Sequence, residues 1–233
     1  MTGQLKLDKL NYKAELDRLA AGMDGPALQI GSRQQVIDQQ VEGRKTWRDR
    51  LADCEFTGAD LEDGDNVDAV FDITWPLDQI REALPGAKEF QTIICAHVLE
   101  HVKNPFDAAR NITDLLAPGG AAFIQVPWVQ GFHAFPDDFW RISVSGLGVL
   151  FPDLKARDYF YSGGSSDVAY RLTRGGLTAF DIDAKQAEAQ AFQVLLPHEM
   201  NDRMLAQMKG PQYLSRGYMP ATVISWLARK PGD

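Results

Sequence analysis

The stretch Ile93 to Trp128, IICAHVLEHVKNPFDAARNITDLLAPGGAAFIQVPW, constrains the fold more than any other part of the chain. It reads as a short apolar strand, a helical segment, a proline and glycine turn, and a second apolar strand. Two strands joined through a helix lie parallel in one sheet, and strands apolar on both sides are buried on both faces. The same rhythm runs through most of the chain. Strands are expected at Ala27–Gly31, Glu55–Asp60, Val67–Asp72, Gln91–Ala96 and Ala121–Pro127, with helices at Arg33–Leu51, Pro76–Leu84 and Pro105–Leu116. The last helix is stopped by APGG. Leu5 to Ala21, apolar at 5, 7, 10, 12, 16, 19 and 20, is expected to form an amphipathic N-terminal helix. The fold class is therefore α/β: a Rossmann-like, doubly wound, mostly parallel sheet in a single domain.

Beyond Asp153 the pattern is looser. DLKARDYFYSGG reads as a sixth strand, and SDVAYRLTRGGLTAF with AKQAEAQAFQVLLPHEMNDRMLAQM reads as an insertion with a helical part. ATVISWLARK returns to strand character as the last strand. An insertion there is placed to cover a ligand or to form a homodimer interface. His198, Glu199 and Met200 are too isolated to carry a role.

Charge and length exclude several classes of function. Lys plus Arg total 24 against 32 for Asp plus Glu, a formal charge of −8, and the densest basic cluster, Arg44, Lys45, Arg48 and Arg50, is soon followed by acids. A phosphate backbone would be repelled, so no nucleic-acid partner is expected. The N-terminus lacks the apolar core of a secretory signal and no apolar run approaches the roughly 20 residues of a bilayer span, so a cytoplasmic protein without membrane contact is expected. Cys54 and Cys95 form neither a disulfide framework nor a metal pair.

In a doubly wound sheet ligands bind at the carboxyl ends of the strands, and the polar punctuation falls there. The first strand ends in Gly31-Ser32, the second in Asp60, the third in Asp72, and the fourth runs into Cys95-Ala96-His97. A carboxylate after the second strand suits ribose hydroxyls, because it accepts two donors in one plane. Asp72 is placed to accept from an adenine amino group. GSRQQV lacks the glycine turn a pyrophosphate needs, which argues against a nicotinamide or flavin dinucleotide, and no Gly-Lys-Ser/Thr phosphate loop occurs.

With the phrases VLEHVKNP and HAFPDDFWRIS, the chain resembles the class I S-adenosylmethionine-dependent methyltransferases over roughly Ala27 to Phe151, ATVISWLARKP being like that fold's last strand. The resemblance implies S-adenosylmethionine as cofactor. Gly31 and Ser32 would lie under its methionine part, Asp60 with Leu61 at the ribose, Asp72 with Ile73 around the adenine, and Cys95, Ala96 and His97 beside the sulfonium. The single glycine of IGSRQQ suffices where no phosphate has to pass. In these terms residues 1–24 are a helical cap, 25–162 the cofactor-binding core, and 163–233 the insertion and terminal strand.

Two clusters bear on the acceptor. His97 lies where the methyl would point, with Glu100 and His101 in the next turn; their structural reading is a helix-dipole acid and a packing residue. His-x-x-Glu-His without a further ligand motif does not specify zinc, and no metal is expected. PWVQGFHAFPDDFWRIS crowds Trp128, His133, Asp137, Trp140 and Arg141 into a broken loop after the fifth strand. Its alternative is a packed loop in which Arg141 pairs with Asp137 or Asp138. His133 is the more attractive general base, His97 the second catalytic candidate, and Trp128, Asp137, Trp140 and Arg141 shape the acceptor pocket. The expected activity is methyl transfer to oxygen or nitrogen of a small metabolite or, by likeness of HAFPDDFWRIS to glycan and natural-product methyltransferases, a sugar-containing acceptor. The rival is a non-catalytic protein of this fold that binds a ligand or partner protein.

Overall fold

The computed structural model describes residues 5–34, 45–133, 137–163, 167–174, 177–178 and 222–232. One sheet runs through them, in the order β1-β8-β7-β10-β6-β5-β2-β3-β4, with β9 paired to β8. Its strands are β1 (Leu5–Asn11), β2 (Ala27–Ile30), β3 (Phe56–Asp60), β4 (Ala69–Val70), β5 (Phe90–Ala96), β6 (Leu116–Val129), β7 (Lys155–Gly163), β8 (Val168–Arg174), β9 (Leu177–Thr178) and β10 (Thr222–Arg229). The helices are α1 (Tyr12–Ala20), α2 (Trp47–Arg50), α3 (Leu77–Ala83), α4 (Pro105–Leu115) and α5 (Val144–Leu150). β2, β3, β4, β5 and β6 pair in parallel, while β10 is inserted antiparallel between β6 and β7. Following the pairings outward, only β8 and β10 run against the other described strands.

Alternation across the strands divides the core in two. Ile93, Cys95, Ala122 and Ile124 pack with Ile80, Ala108, Ile112 and Leu147 of α3, α4 and α5. Ile94 and Phe123 point the other way, onto Leu16 and Leu19 of α1 and Trp47 of α2. Both faces of the parallel half are thus covered, as near-continuous apolar strands require. Among the described residues no helix is long and apolar enough to cross a membrane.

Besides the end of α4, where Leu116 and APGG open β6 instead of forming a turn before Ala121, three expectations change. The N-terminal helix does not start at Leu5, because Asn11 caps it: the Asn11 side chain accepts from the Ala14 amide at 2.9 Å, and Leu5–Asn11 pairs antiparallel with β8 instead. A continuous helix over 33–51 is also absent, since Arg33 and Gln34 are coil and Thr46 starts a new helix through a capping box with Asp49. Third, Val168–Arg174, expected within an insertion, is the strand that joins β7 to β1. The remainder of the insertion, with His198, Glu199 and Met200, lies outside the described residues.

The added edge is fastened by charge. Burial alone would raise the Glu15 carboxyl, but hydrogen bonds from Arg18 and Arg171 outweigh it and hold it below its ordinary value. The same two guanidiniums bond Asp158 at 2.8 and 2.7 Å, so α1, β7 and β8 share one network.

Candidate active site

The strand order reverses at β2: the chain winds from β2 through β3 to β4 on one side and continues with β5 and β6 on the other. A crevice opens at such a point beyond the carboxyl ends of β2 and β5. Gly31, directly after β2, has φ +75°, and a Cβ there would sit 2.4 Å from Val98 Cγ2, in the turn after β5. Only glycine allows both that backbone and that approach. The loop is shaped from the neighbouring strand too. The Gly31 and Ser32 amides both donate to the Ala59 carbonyl, Ser32 Oγ donates to the Asn66 carbonyl at 2.9 Å, and Asn66 Nδ2 returns a bond to the Ser32 carbonyl at 2.9 Å. Asn66, at φ 71°, was not singled out in the sequence, though it closes the turn-forming run Gly64-Asp65-Asn66.

Asp60 ends β3 beside this loop; its Oδ2 accepts from the Arg33 amide at 3.1 Å and its Oδ1 from the Glu62 amide at 3.4 Å, and each oxygen keeps a lone pair for a ligand. Leu61 next to it is 52% exposed, apolar surface at the rim. Asp72 is turned onto its own chain, where Oδ1 accepts from the Thr74 amide and hydroxyl at 2.8 and 2.7 Å. Ile73 is core, and its carbonyl accepts from Asn111 of α4. The Cys95 side chain is wholly buried, with its thiol pushed up by that burial, so Cys95 presents backbone only at the strand end.

His97 follows β5 at φ 56°, a conformation uncommon for a residue with a side chain and frequent at functional sites. Residues 97–101 form a turn, and α4 begins only at Pro105 with Asn104 as its cap. Glu100 is thus no first-turn acid complementing a dipole: it is fully buried under the turn, with His97 Nδ1 3.3 Å and His101 Nε2 3.8 Å from its Oε1.

The two sequence clusters meet here. The Phe139 and Trp140 amides donate to the Glu100 carbonyl, Trp140 Nε1 donates to the Val102 carbonyl at 2.8 Å, and His101 Nδ1 donates to the Asp137 carbonyl at 2.5 Å. The His101 and His133 rings stand edge to face, 4.9 Å apart. Arg141 is occupied by the loop itself, forking onto both oxygens of Asp138 at 2.6 and 2.7 Å and bonding the carbonyls of Gln130 and Gly131. That fork, against the cost of burial, holds the Asp138 carboxyl far below its usual range. Asp138 in turn accepts from the His133 amide at 2.8 Å and lies 3.3 Å from its Nδ1. Trp128 packs half-buried against Tyr161, whereas Phe132, Phe139 and Trp140 stay exposed. Asp137 Oδ1 accepts from the Asp138 amide at 2.9 Å. Phe135 lies outside the described residues.

Comparison with known proteins agrees with this layout. No curated protein matches the sequence. Among solved structures, a candidate methyltransferase from Bacillus halodurans C-125 superposes with a TM-score of 0.53 at 13% identity, over 94% of this chain and 98% of its own. The YcgJ protein of Bacillus subtilis gives 0.50 at 12% identity, over 95% and 100%. The N-methyltransferase NodS of Bradyrhizobium japonicum WM9, solved with S-adenosyl-L-homocysteine, gives 0.45 at 16%, over 71% and 88%. A family model described as a methyltransferase domain matches residues 23–160, from the residues before β2 into β7. With more than half its length matched, the chain belongs to the methyltransferase-domain family, the class I proteins whose methyl donor is S-adenosylmethionine.

Proposed function

We propose that the chain transfers a methyl group to oxygen or nitrogen of a small metabolite or sugar-containing acceptor, in a cytoplasmic setting. The observation that carries this reading is Gly31, held left-handed against Val98 at the strand reversal, a cradle that any Cβ would fill. The cofactor fits the residues beside it. Gly31 and Ser32 would lie along its amino-acid part, Asp60 would accept from ribose hydroxyls, and the exposed face of Leu61 would cover apolar ring surface.

When bound, S-adenosylmethionine supplies an already activated methyl, so the protein's task is alignment and exclusion of water. His97 is the better placed proton acceptor: its side chain is 46% exposed at the end of β5, whereas His133 is wedged between His101 and Asp138. Trp140 and Phe132 would cover the acceptor, and His133 would line its far side. Arg141 and Asp138 act as positioning residues for that wall.

His97→Ala should lower turnover by about 10²–10⁴ while leaving S-adenosylhomocysteine affinity intact. Binding of S-adenosylhomocysteine without methylation of any hydroxyl or amine in a metabolite and sugar panel would favour the non-catalytic rival. A calorimetric titration without heat at millimolar ligand would overturn the cofactor assignment.

A further inference from the structure

Glu100 is the most costly side chain to explain. It is fully buried, and neither carboxylate oxygen accepts a hydrogen bond among the described residues. Buried polar atoms are almost always paired, so two bare oxygens on one buried carboxylate call for a partner. Groups able to share one with it are at hand: one ligand atom each from Glu100, His101 and His133 lie within 4.8 Å of one another.

The geometry points to a site for a divalent first-row transition ion, held by Glu100, His101 and His133. Two ligand atoms about 2.0–2.2 Å from one ion are at most about 4 Å apart, so the cluster closes by a side-chain shift of about 1 Å. One carboxylate and two imidazoles are the donor set of zinc, manganese, iron and cobalt rather than of magnesium or calcium, which take oxygen. The supporting shell is present. His101 Nδ1 is committed to the Asp137 carbonyl, which turns Nε2 toward Glu100, and His133 is backed by Asp138, itself clamped by Arg141. Ligating histidines are oriented in this way by carbonyls and carboxylates. The turn buries Glu100 next to His101, and the loop after β6 brings His133. Three protein ligands leave coordination positions for water or an acceptor oxygen.

The test is metal uptake by the full chain after chelation, with no cofactor or acceptor present, so that its failure leaves the methyl-transfer reading standing. Metal-free protein titrated with Co²⁺ should take up one ion per chain with a visible absorption band that Zn²⁺ abolishes. Glu100→Gln and His133→Ala should each weaken uptake by about 10² or more. Glu100→Gln keeps the shape of the side chain, so its metal-free melting temperature should match or exceed that of the parent, while the upward shift on adding Zn²⁺ disappears. No uptake by the parent would overturn the site. Uptake unchanged in both variants would place the ion elsewhere and equally overturn it.

Discussion

Gly31→Ala is the sharpest probe of the cradle. The substitution places a methyl on a backbone at φ +75°, which costs an L-residue about 1–2 kcal/mol. The new Cβ would stand 2.4 Å from Val98 Cγ2, well inside contact, and overpacking of that kind costs about 1–3 kcal/mol. The two add to about 2–5 kcal/mol. In a protein of this size each kcal/mol lowers the melting temperature by about 2–4 °C, so thermal unfolding should fall by about 4–20 °C. The costs are separable, because Val98→Ala removes Cγ2 without touching the backbone of Gly31. The double variant should regain about 1–3 kcal/mol relative to the sum of the single changes, a coupling read from a double-mutant cycle in urea. Gly31→Ala within about 0.5 kcal/mol of the parent, or strict additivity with Val98→Ala, would refute the close approach.

Other perturbations address the crevice, the loop and the added edge. Asp60→Ala should weaken S-adenosylhomocysteine binding by about 1.5–3 kcal/mol in calorimetry, the range for hydrogen bonds to a charged group; unchanged affinity would remove Asp60 from the site. Arg141→Met strands Asp138, whose side chain is 1% exposed, and should cost about 3 kcal/mol in denaturant unfolding. A loss below about 1 kcal/mol would show that the loop holds without the pair. Because the Glu15 carboxyl titrates below its ordinary 4.5 in the folded protein, its contribution is complete above that pH and fades as the pH falls through the lower folded value. Glu15→Gln should therefore flatten the acid limb of a stability–pH curve; parallel curves for variant and parent would contradict the network.

The parallel half of the sheet was legible because each of its strands carries its own apolar signal and a turn. β5 and α4 begin and end within a residue of expectation, since Asn104-Pro105 marks the helix start locally. The added edge was not legible, for a reason that is not local. Leu5–Asn11 alternates too imperfectly to distinguish strand from helix, and what decides is the open edge of β8, a strand more than 150 residues away. Ser143 caps α5, but Gly146 and Gly148 lower that helix's intrinsic propensity and masked it.

The site divides along the same line. Gly31, Asp60 and His97 fall at strand ends, where the stops of the apolar runs put them. Where a side chain turns could not be read in the same way. Asp72 looks like Asp60 in sequence, and each accepts from the amide two residues on, but Thr74 also offers Asp72 a hydroxyl at 2.7 Å, so that carboxylate closes the tighter local turn. Asp137 and Asp138 are adjacent acids, but only Asp138 meets Arg141, while Asp137 serves His101 through its backbone carbonyl. Glu100 is the extreme case. Its spacing from His97 and His101 suits a surface helix, where a carboxylate would be solvated; the turn of residues 97–101 before Asn104 buries it instead, and burial makes its bare oxygens the feature in most need of a partner.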